Sequence, residues 1–274
     1  MTLVDSHCHF WQLSRGDYDW LDGTGGPLEP IRRDFAPQDY PGTARLIAVQ
    51  AAPSVAETEF LLSLAAQDPR IAGVVGWVDL SAADAAETIA FLSQNPVFKG
   101  VRPMLQGLED SDWLVTAARP EAIAALKAHG LRFDALVTER HLPMLQRFAA
   151  AHPELPLVID HAAKPQPGAR PAWHQGMQAL AGHAHVHCKL SGLLNELSDA
   201  ERADPLPALQ AIFAPLLNWF GPERLIWGSD WPVLTLAGSW QGWRDLTETL
   251  LAPLSEADRA AILHRNATRF YGVT

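Results

Sequence analysis

Two histidines separated by one residue stand near the start of the chain, in the segment Asp5-Ser6-His7-Cys8-His9. Side chains of a strand alternate between its two faces, so His7 and His9 point the same way and Cys8 points the opposite way. Neutral imidazoles bind divalent metal ions and polarise carbonyl groups. The pair therefore predicts a metal site or a carbonyl-polarising site. Cys8 is expected to be a small buried apolar side chain.

Two further apolar runs end in groups that could join this site. Asp230 follows the run 225–228, where a carboxylate could accept a proton from water or ligate a metal; a turn-capping role is the structural alternative. His161 follows Val158-Ile159-Asp160. Adjacent strand residues face opposite sides, so only one of Asp160 and His161 can face the site unless the strand bulges. We choose His161 and expect Asp160 to support a neighbouring group.

Three polar side chains are candidates for contacting a substrate. Arg102 ends the segment Lys99-Gly100-Val101-Arg102 and suits recognition of carboxylate or ester oxygens. Alternation in 186–191 directs Lys189 to the interior, where it is either an ion-pair member, with Asp134 as a possible partner, or a substrate contact. Gln50 is either a hydrogen-bond donor to a ligand or a satisfied core amide.

The ten tryptophans are many for a chain of 274 residues. Several end apolar runs or lie in the segments that follow them, namely Trp11, Trp20, Trp77, Trp113 and Trp231. Their faces can stack on a sugar ring, although packing alone explains most large aromatic side chains. Of these, Trp11, Trp77 and Trp231 are assigned to substrate binding.

The elements that must position these residues alternate between two patterns. Short apolar, strand-like runs occupy residues 3–5, 46–50, 73–79, 98–101, 131–137, 156–160, 186–190 and 225–228. Amphipathic helical patterns occupy residues 57–67, 83–94, 119–129, 141–152, 172–181, 205–220, 243–251 and 255–271. Eight strands, each followed by a helix, predict a (β/α)8 TIM barrel rather than a doubly wound open sheet.

The long irregular segments follow strands, and the connections from helix to next strand are short. These segments are residues 10–45, 103–119, 162–171, 192–204 and 231–242. In a barrel they gather at the C-terminal face of the strands, where active sites lie. The loop asymmetry therefore points to the same end of the barrel as the polar residues above.

Composition excludes several classes of function. The net charge is −10, from 31 acidic and 21 basic residues without a Lys/Arg run, which argues against nucleic-acid and membrane-surface binding. Two cysteines exclude a disulfide framework. No apolar stretch of about 18 residues and no signal-peptide pattern occurs, so a cytoplasmic protein is expected. We expect a small-molecule substrate and a monomer or homodimer.

Taken together, these motifs resemble the amidohydrolase superfamily, specifically the amidohydrolase 2 group in its sugar-lactonase and 2-pyrone-4,6-dicarboxylate lactonase branch. The matching segments are 5–11, 18–21, 73–80, 99–102, 160–165, 188–192, 228–232 and 266–271. The resemblance covers nearly the whole chain. It implies a distorted (β/α)8 barrel, a single domain over 1–274, that opens a lactone by hydrolysis.

The resemblance also implies roles for individual residues. His7 and His9 match the first-strand pair, His161 a later-strand histidine and Asp230 the last-strand aspartate. The bridging lysine of two-metal members has no clear counterpart here. The resemblance therefore implies either one divalent ion such as Zn²⁺, held by these four residues, or catalysis without a metal.

The implied reaction uses Asp230 as general base and the three histidines as the groups that polarise the carbonyl. Because one arginine is too little for a dicarboxylate, we favour a neutral sugar 1,4- or 1,5-lactone such as a fucono- or rhamnonolactone. A zinc-dependent decarboxylase of an aromatic or pyrone-like acid is one alternative. A barrel that binds a sugar or acid without turnover is another.

Overall fold

A computed structural model describes residues 3–273 of the chain. Eight parallel strands pair in chain order, each with the next. They are β1 Val4–Cys8, β2 Arg45–Val49, β3 Ile71–Gly76, β4 Phe98–Val101, β5 Arg132–Ala135, β6 Leu157–Ile159, β7 Val186–Leu190 and β8 Leu225–Trp227. The predicted barrel is confirmed.

Helices follow the strands and form the outer layer. They are α1 Val55–Gln67, α2 Ala85–Leu92, α3 Trp113–Thr116, α4 Pro120–Ala128, α5 Leu142–Ala151, α6 Pro171–Ala181, α7 Asp199–Ala203, α8 Pro205–Phe220, α9 Trp240–Leu251, α10 Glu256–Ala260 and α11 Asn266–Tyr271. A π-helical turn, Ala261–Arg265, joins the last two. Pro120 begins α4, and Gly130 follows its end at φ +62°, in agreement with the pattern of a proline start and a glycine stop.

The ring closes between β8 and β1 beyond the ends of the paired segments. The amide of Asp230 donates to the carbonyl of His7 at 2.7 Å, and the amide of His9 donates to the carbonyl of Trp231, also at 2.7 Å. The barrel is therefore distorted at this seam. The seam also brings the His-x-His segment and Asp230 side by side.

Apolar side chains fill the interior of the barrel at the end that the C-terminal helix covers. Apolar strand residues such as Val4, Val49 and Ile226 pack there against Phe270 and Tyr271 of the C-terminal helix. A larger apolar layer lies between the strands and the surrounding helices. Because the C-terminal helix closes one end, the loops after the strands surround the opposite, open end.

Candidate active site

Three imidazoles surround one carboxylate oxygen at the open end of the barrel. Oδ1 of Asp230 lies 3.2 Å from Nε2 of His9, 3.7 Å from Nε2 of His7 and 3.9 Å from Nε2 of His161. Each of the four side chains is at most 5% exposed. The structure therefore brings together the four residues that the sequence assigns to catalysis and metal binding.

These groups face a cavity of about 250 Å³. We call it the histidine cavity and define it by His9, His161 and Asp230. Its other lining residues are Trp20, Ala51, Arg102, Met104, Gln106, Leu136, Lys164 and Val233. His7 is fully buried next to these groups. The lining thus combines polar groups with apolar side chains, the usual character of a small-molecule site.

A break in the register of β1 orients the two histidines. Val4 lies among the interior residues, and the pairing with β2 shifts between Asp5 and Cys8. His7, three positions after Val4, consequently faces the interior as well, although strict alternation would turn it outward. Cys8 packs in the apolar cluster outside the barrel, as predicted.

Asp5 fastens the seam on which the site is built. Its Oδ1 accepts the amides of His7 at 3.1 Å and Ser229 at 2.8 Å, and its Oδ2 accepts the hydroxyl of Tyr40 at 2.7 Å. One buried carboxylate thereby fixes the backbone before both His7 and Asp230. The sequence analysis gives Asp5 no such role, because only the tertiary fold brings Ser229 and Tyr40 to it.

Asp230 holds a strained backbone conformation, with φ at +62°. Such a conformation costs a non-glycine residue about 1–3 kcal/mol and persists only where the surroundings impose it. Here the amide donates to His7, and the carbonyl accepts the amide of Leu234 at 2.8 Å. The strain turns the carboxylate toward the imidazoles, which argues against a mere turn cap.

Strict strand alternation fails at Asp160 and His161, because both side chains point into the barrel, but His161, the residue chosen for the site, is the one that lines the histidine cavity. Oδ1 of Asp160 lies 3.4 Å from Nδ1 of His7, and Nδ1 of His161 lies 2.9 Å from the hydroxyl of Ser191. The backbone enters the left-handed region at His161, with φ +51°, so strand alternation ends there. The expected supporting role of Asp160 fits its contact with His7.

The hydrogen bonding of His9 directs a nitrogen lone pair toward Asp230. Its Nδ1 lies 2.8 Å from the carbonyl oxygen of Val49, so that nitrogen carries a hydrogen and donates. Its Nε2 then faces the carboxylate oxygen of Asp230 at 3.2 Å. Two lone-pair-bearing atoms at that distance repel each other unless a proton or a metal ion lies between them.

The donor set fits a divalent ion. Imidazole nitrogens and a carboxylate oxygen are the ligands that zinc prefers at catalytic sites. Ligand atoms of His7, His9 and Asp230 lie within 4.8 Å of one another, as do those of His7, Asp160 and His161. His161 lies close enough to Asp230 to complete the first of these groups.

A second set of charges lies next to His7, away from the cavity. The ammonium of Lys189 contacts Asp134 at 2.6 Å, Asp160 at 3.0 Å and Nδ1 of His7 at 3.0 Å. The hydroxyl of Tyr271 donates to Asp134 at 2.7 Å. Lys189 is fully buried and does not line the histidine cavity, so of its two predicted roles the structure supports the ion pair. It is an ion-pair member, because a buried ammonium requires carboxylate partners.

The electrostatics set the charge state of each group. Burial raises the pKa of Asp230, but the facing His161, His9 and His7 outweigh it and hold this pKa below its usual range. Burial and the nearby Lys189 hold the pKa of His7 well below its usual value, and burial lowers the pKa of His161 to about 4. Near neutral pH, an ionised carboxylate therefore faces neutral imidazoles at His7 and His161.

Of the assigned substrate contacts, Arg102 lines the histidine cavity. Its Nη1 lies 3.4 Å from Nε2 of His7 and 3.6 Å from Oδ2 of Asp160. The assignment of Gln50 to the substrate is wrong, because the side chain is fully buried and its Nε2 donates to the carbonyl of Arg102 at 2.7 Å. The amide thus supports the backbone of Arg102.

The structure does not place Trp11 and Trp231 at the histidine cavity. They are 1% and 4% exposed and pack edge-to-face against Phe35. Burying large aromatic rings against one another is favourable, and the sequence pattern does not show which rings will meet. Trp77 lies at a different cavity, described below.

Seven residues of the lining had no assigned role, and Lys164 and Trp20 are two of them. Lys164 lies in the left-handed segment after His161, with its ammonium 3.6 Å from Glu196. Trp20 lines the cavity from the first long loop, and its indole N–H donates to the carbonyl of Ala51 at 2.7 Å. Periodicity cannot place residues in irregular segments, so only the clustering of loops at one face pointed to them.

Comparison with known proteins places these features in context. The family model described as Amidohydrolase matches residues 4–273. A relative named L-fucono-1,5-lactonase, from Burkholderia ambifaria, is 44% identical, with 98% of this chain and 95% of the relative covered. Another of the same name, from Burkholderia multivorans, is 38% identical, with 98% and 96% covered.

A solved structure agrees closely with the fold. It is an amidohydrolase from Burkholderia multivorans with zinc bound, at a TM-score of 0.90 and 36% identity, and the match covers 100% of both chains.

Within residues 3–273, no helix combines the length and the apolar character that a membrane span requires.

Proposed function

This chain belongs to the amidohydrolase family, and from that premise we propose that it hydrolyses a sugar lactone, L-fucono-1,5-lactone or a lactone of similar size and polarity. The relatives named L-fucono-1,5-lactonase support this substrate class. One observation carries the proposal: Oδ1 of Asp230 lies within 3.9 Å of Nε2 of His7, His9 and His161 beside a small cavity.

We propose that His7, His9, His161 and Asp230 hold one divalent ion, in line with the zinc-bound relative. Such an ion, when bound, polarises a carbonyl oxygen and lowers the pKa of water. The protein then has to bind the lactone, orient water and move protons.

The proposed reaction begins when a water oxygen bonds to the lactone carbonyl carbon while Asp230 takes one proton from that water. Arg102, which lines the same cavity, can donate to the carbonyl oxygen, where negative charge develops. The ring C–O bond then breaks, and Asp230 returns the proton to the leaving alkoxide. One water is consumed, and the product is a hydroxy acid that ionises near neutral pH.

The charges of the cavity favour a neutral lactone over a dicarboxylate. Arg102 is balanced by Asp160 at 3.6 Å, and Lys164 by Glu196, also at 3.6 Å. A substrate with two carboxylates would need cations that are free of such partners. A neutral sugar lactone needs only hydrogen-bonding groups and an apolar wall, and the cavity offers both.

The test is turnover by the purified protein on L-fucono-1,5-lactone, other aldono-1,4- and 1,5-lactones, and 2-pyrone-4,6-dicarboxylate. Proton release is followed by a pH indicator, and the open-chain acid is identified by NMR, with spontaneous hydrolysis subtracted. We expect the highest kcat/KM on a neutral 1,5-lactone. Release of CO₂ from an aromatic or pyrone-like acid, without turnover of any lactone, would establish the decarboxylase alternative instead.

A further inference from the structure

A second, larger cavity of about 620 Å³ adjoins the histidine cavity. We call it the tryptophan cavity and define it by Trp20, Trp77 and Trp113. Trp20 and Met104 line both cavities, so the two are neighbours at the same end of the barrel. Its volume falls within the range of roughly 300–1,000 Å³ that is usual for ligand sites, whereas the histidine cavity is smaller. The reaction proposed above leaves this space unused.

The walls of the tryptophan cavity are held in place by hydrogen bonds. The backbone of Trp77 is fixed by Thr58. The Trp77 amide donates to the hydroxyl of Thr58 at 2.8 Å, and this hydroxyl donates to the Trp77 carbonyl at 3.0 Å. The indole of Trp20 is fastened to the carbonyl of Ala51. The backbone of Trp77 and the indole of Trp20 are thus held in place, and a held indole face suits the C–H surface of a sugar ring because the contact loses little side-chain freedom.

The charged side chains that line this cavity are carboxylates. Asp17, Asp19 and Asp79 line it, and within residues 3–273 its lining includes no lysine, arginine or histidine. Asp17 is paired with Arg15 at 2.7 Å, so the unbalanced negative charge comes from Asp19 and Asp79. Asp79 is oriented by the amide and hydroxyl of Ser81, at 2.9 and 2.6 Å. Carboxylates accept hydrogen bonds from hydroxyl groups and repel anions. The cavity therefore selects a ligand that carries hydroxyls and no negative charge.

We propose that the tryptophan cavity is a binding site for a neutral pyranose ring joined to the lactone that occupies the histidine cavity. This inference rests on the proposed function and extends its substrate class to glycosylated sugar lactones. The shared wall at Trp20 and Met104 provides the continuity that one substrate spanning both cavities requires.

Binding is measured by calorimetry and saturation-transfer NMR on an Asp230→Asn variant, so the readout does not depend on turnover. The probes are methyl β-D-glucopyranoside and its uronate analogue, which differ chiefly by a carboxylate. We expect saturable binding of the neutral glycoside and much weaker binding of the uronate. Trp113→Ala should weaken glycoside binding by about tenfold, in keeping with an aromatic contact. Trp77→Leu serves as the second variant should Trp113→Ala fail to fold.

The matched control is Trp219→Ala, which removes a half-buried tryptophan of α8 that lines neither cavity. Added L-fuconate, the acid formed from L-fucono-1,5-lactone, should leave glycoside binding intact. The proposal is overturned if the glycoside does not bind, if the uronate binds equally well, if L-fuconate displaces the glycoside, or if the tryptophan variants bind like the control.

A turnover comparison then tests the link between the cavities. A sugar lactone with a neutral pyranose substituent should have a higher kcat/KM than the same lactone without it, and Trp113→Ala should abolish the difference. Equal values in the wild-type protein would contradict a shared substrate. If the glycoside binds but no lactone is turned over, the proposed reaction fails while the sugar site remains.

Discussion

Two layers of polar and charged residues lie inside the barrel, and they differ in whether they face a cavity. The mouth layer, His9, His161 and Asp230, faces a cavity. The buried layer, Asp134, Asp160, Lys189 and Tyr271, is fully enclosed and its members contact one another. Both layers pair carboxylates with nitrogen groups. The comparison shows that such pairs are available for chemistry only where a cavity leaves room for a ligand.

His7 connects the two layers. Its Nδ1 lies within 3.4 Å of Lys189 and Asp160 in the buried layer, and its Nε2 lies 3.7 Å from Asp230 in the mouth layer. A carboxylate beside one ring nitrogen orients an imidazole whose other nitrogen binds a ligand. The buried layer therefore holds the mouth layer in place, and variants in the two should have different consequences.

The largest effect on activity is expected from Asp230→Asn. Asparagine tolerates positive φ, so the backbone is retained while the proton acceptor is lost. We expect kcat on the preferred lactone to fall about a thousandfold, as for loss of a general base, with little change in Tm. Asp245→Asn, at an exposed position of α9, is the control. Wild-type kcat in Asp230→Asn would rule out the general-base role.

In the buried layer, Lys189→Met should act mainly on folding. It leaves two fully buried carboxylates without their ammonium, and we expect a loss of about 3–5 kcal/mol in the free energy of unfolding, measured with urea. Lys127→Met removes a surface partner of Glu154, 4.0 Å away, and should cost under about 1 kcal/mol. Equal stabilities of the two variants would refute the ion-pair role of Lys189.

For the mouth layer, His9→Gln should weaken zinc binding. Loss of a residue that only supports a metal ligand lowers the metal affinity by about 10- to 100-fold. Because His9 is proposed as a ligand itself, we expect its replacement to lower the zinc affinity by about 100-fold or more. Chelator competition with metal-free protein measures this without an activity assay. His129→Gln, at an exposed helix end, should bind zinc like the wild type. An unchanged affinity in His9→Gln would remove this imidazole from the ligand set.

The smallest effect is expected from Tyr271→Phe, which removes one hydroxyl from the buried layer. Loss of a hydrogen bond to a charged group should cost about 1.5–3 kcal/mol in unfolding free energy, with kcat near the wild-type value. Tyr18→Phe removes a similar bond, to Glu57 at 2.7 Å outside the barrel, and should cost about as much. If Tyr271→Phe alone lowered kcat strongly, the two layers would be functionally inseparable.

Sequence patterns correctly predicted side-chain directions within a regular strand. The alternation in β7 placed Val186 and Cys188 against the helices and Lys189 inside, and the structure confirms this. The motifs at the ends of β1 and β8 identified the residues around the histidine cavity. In β7 the side-chain direction follows from the local backbone period, whereas at the ends of β1 and β8 the residue types carried the prediction.

The patterns failed where irregular backbone or distant partners decide. Asp160 and His161 share the site because the chain turns left-handed after β6. Trp11 and Trp231 are buried because both pack against Phe35 of the first long loop. The spacing of residues along the sequence could not reveal this contact.

The barrel, its order of strands and the residue types around the reacting centre could therefore be predicted from local patterns, because hydrophobic periodicity and strand alternation are local properties. Which charged groups meet a cavity and which are enclosed became clear from the folded chain alone. That outcome depends on contacts between residues far apart in the chain, such as Lys189 with His7 and Asp5 with Ser229.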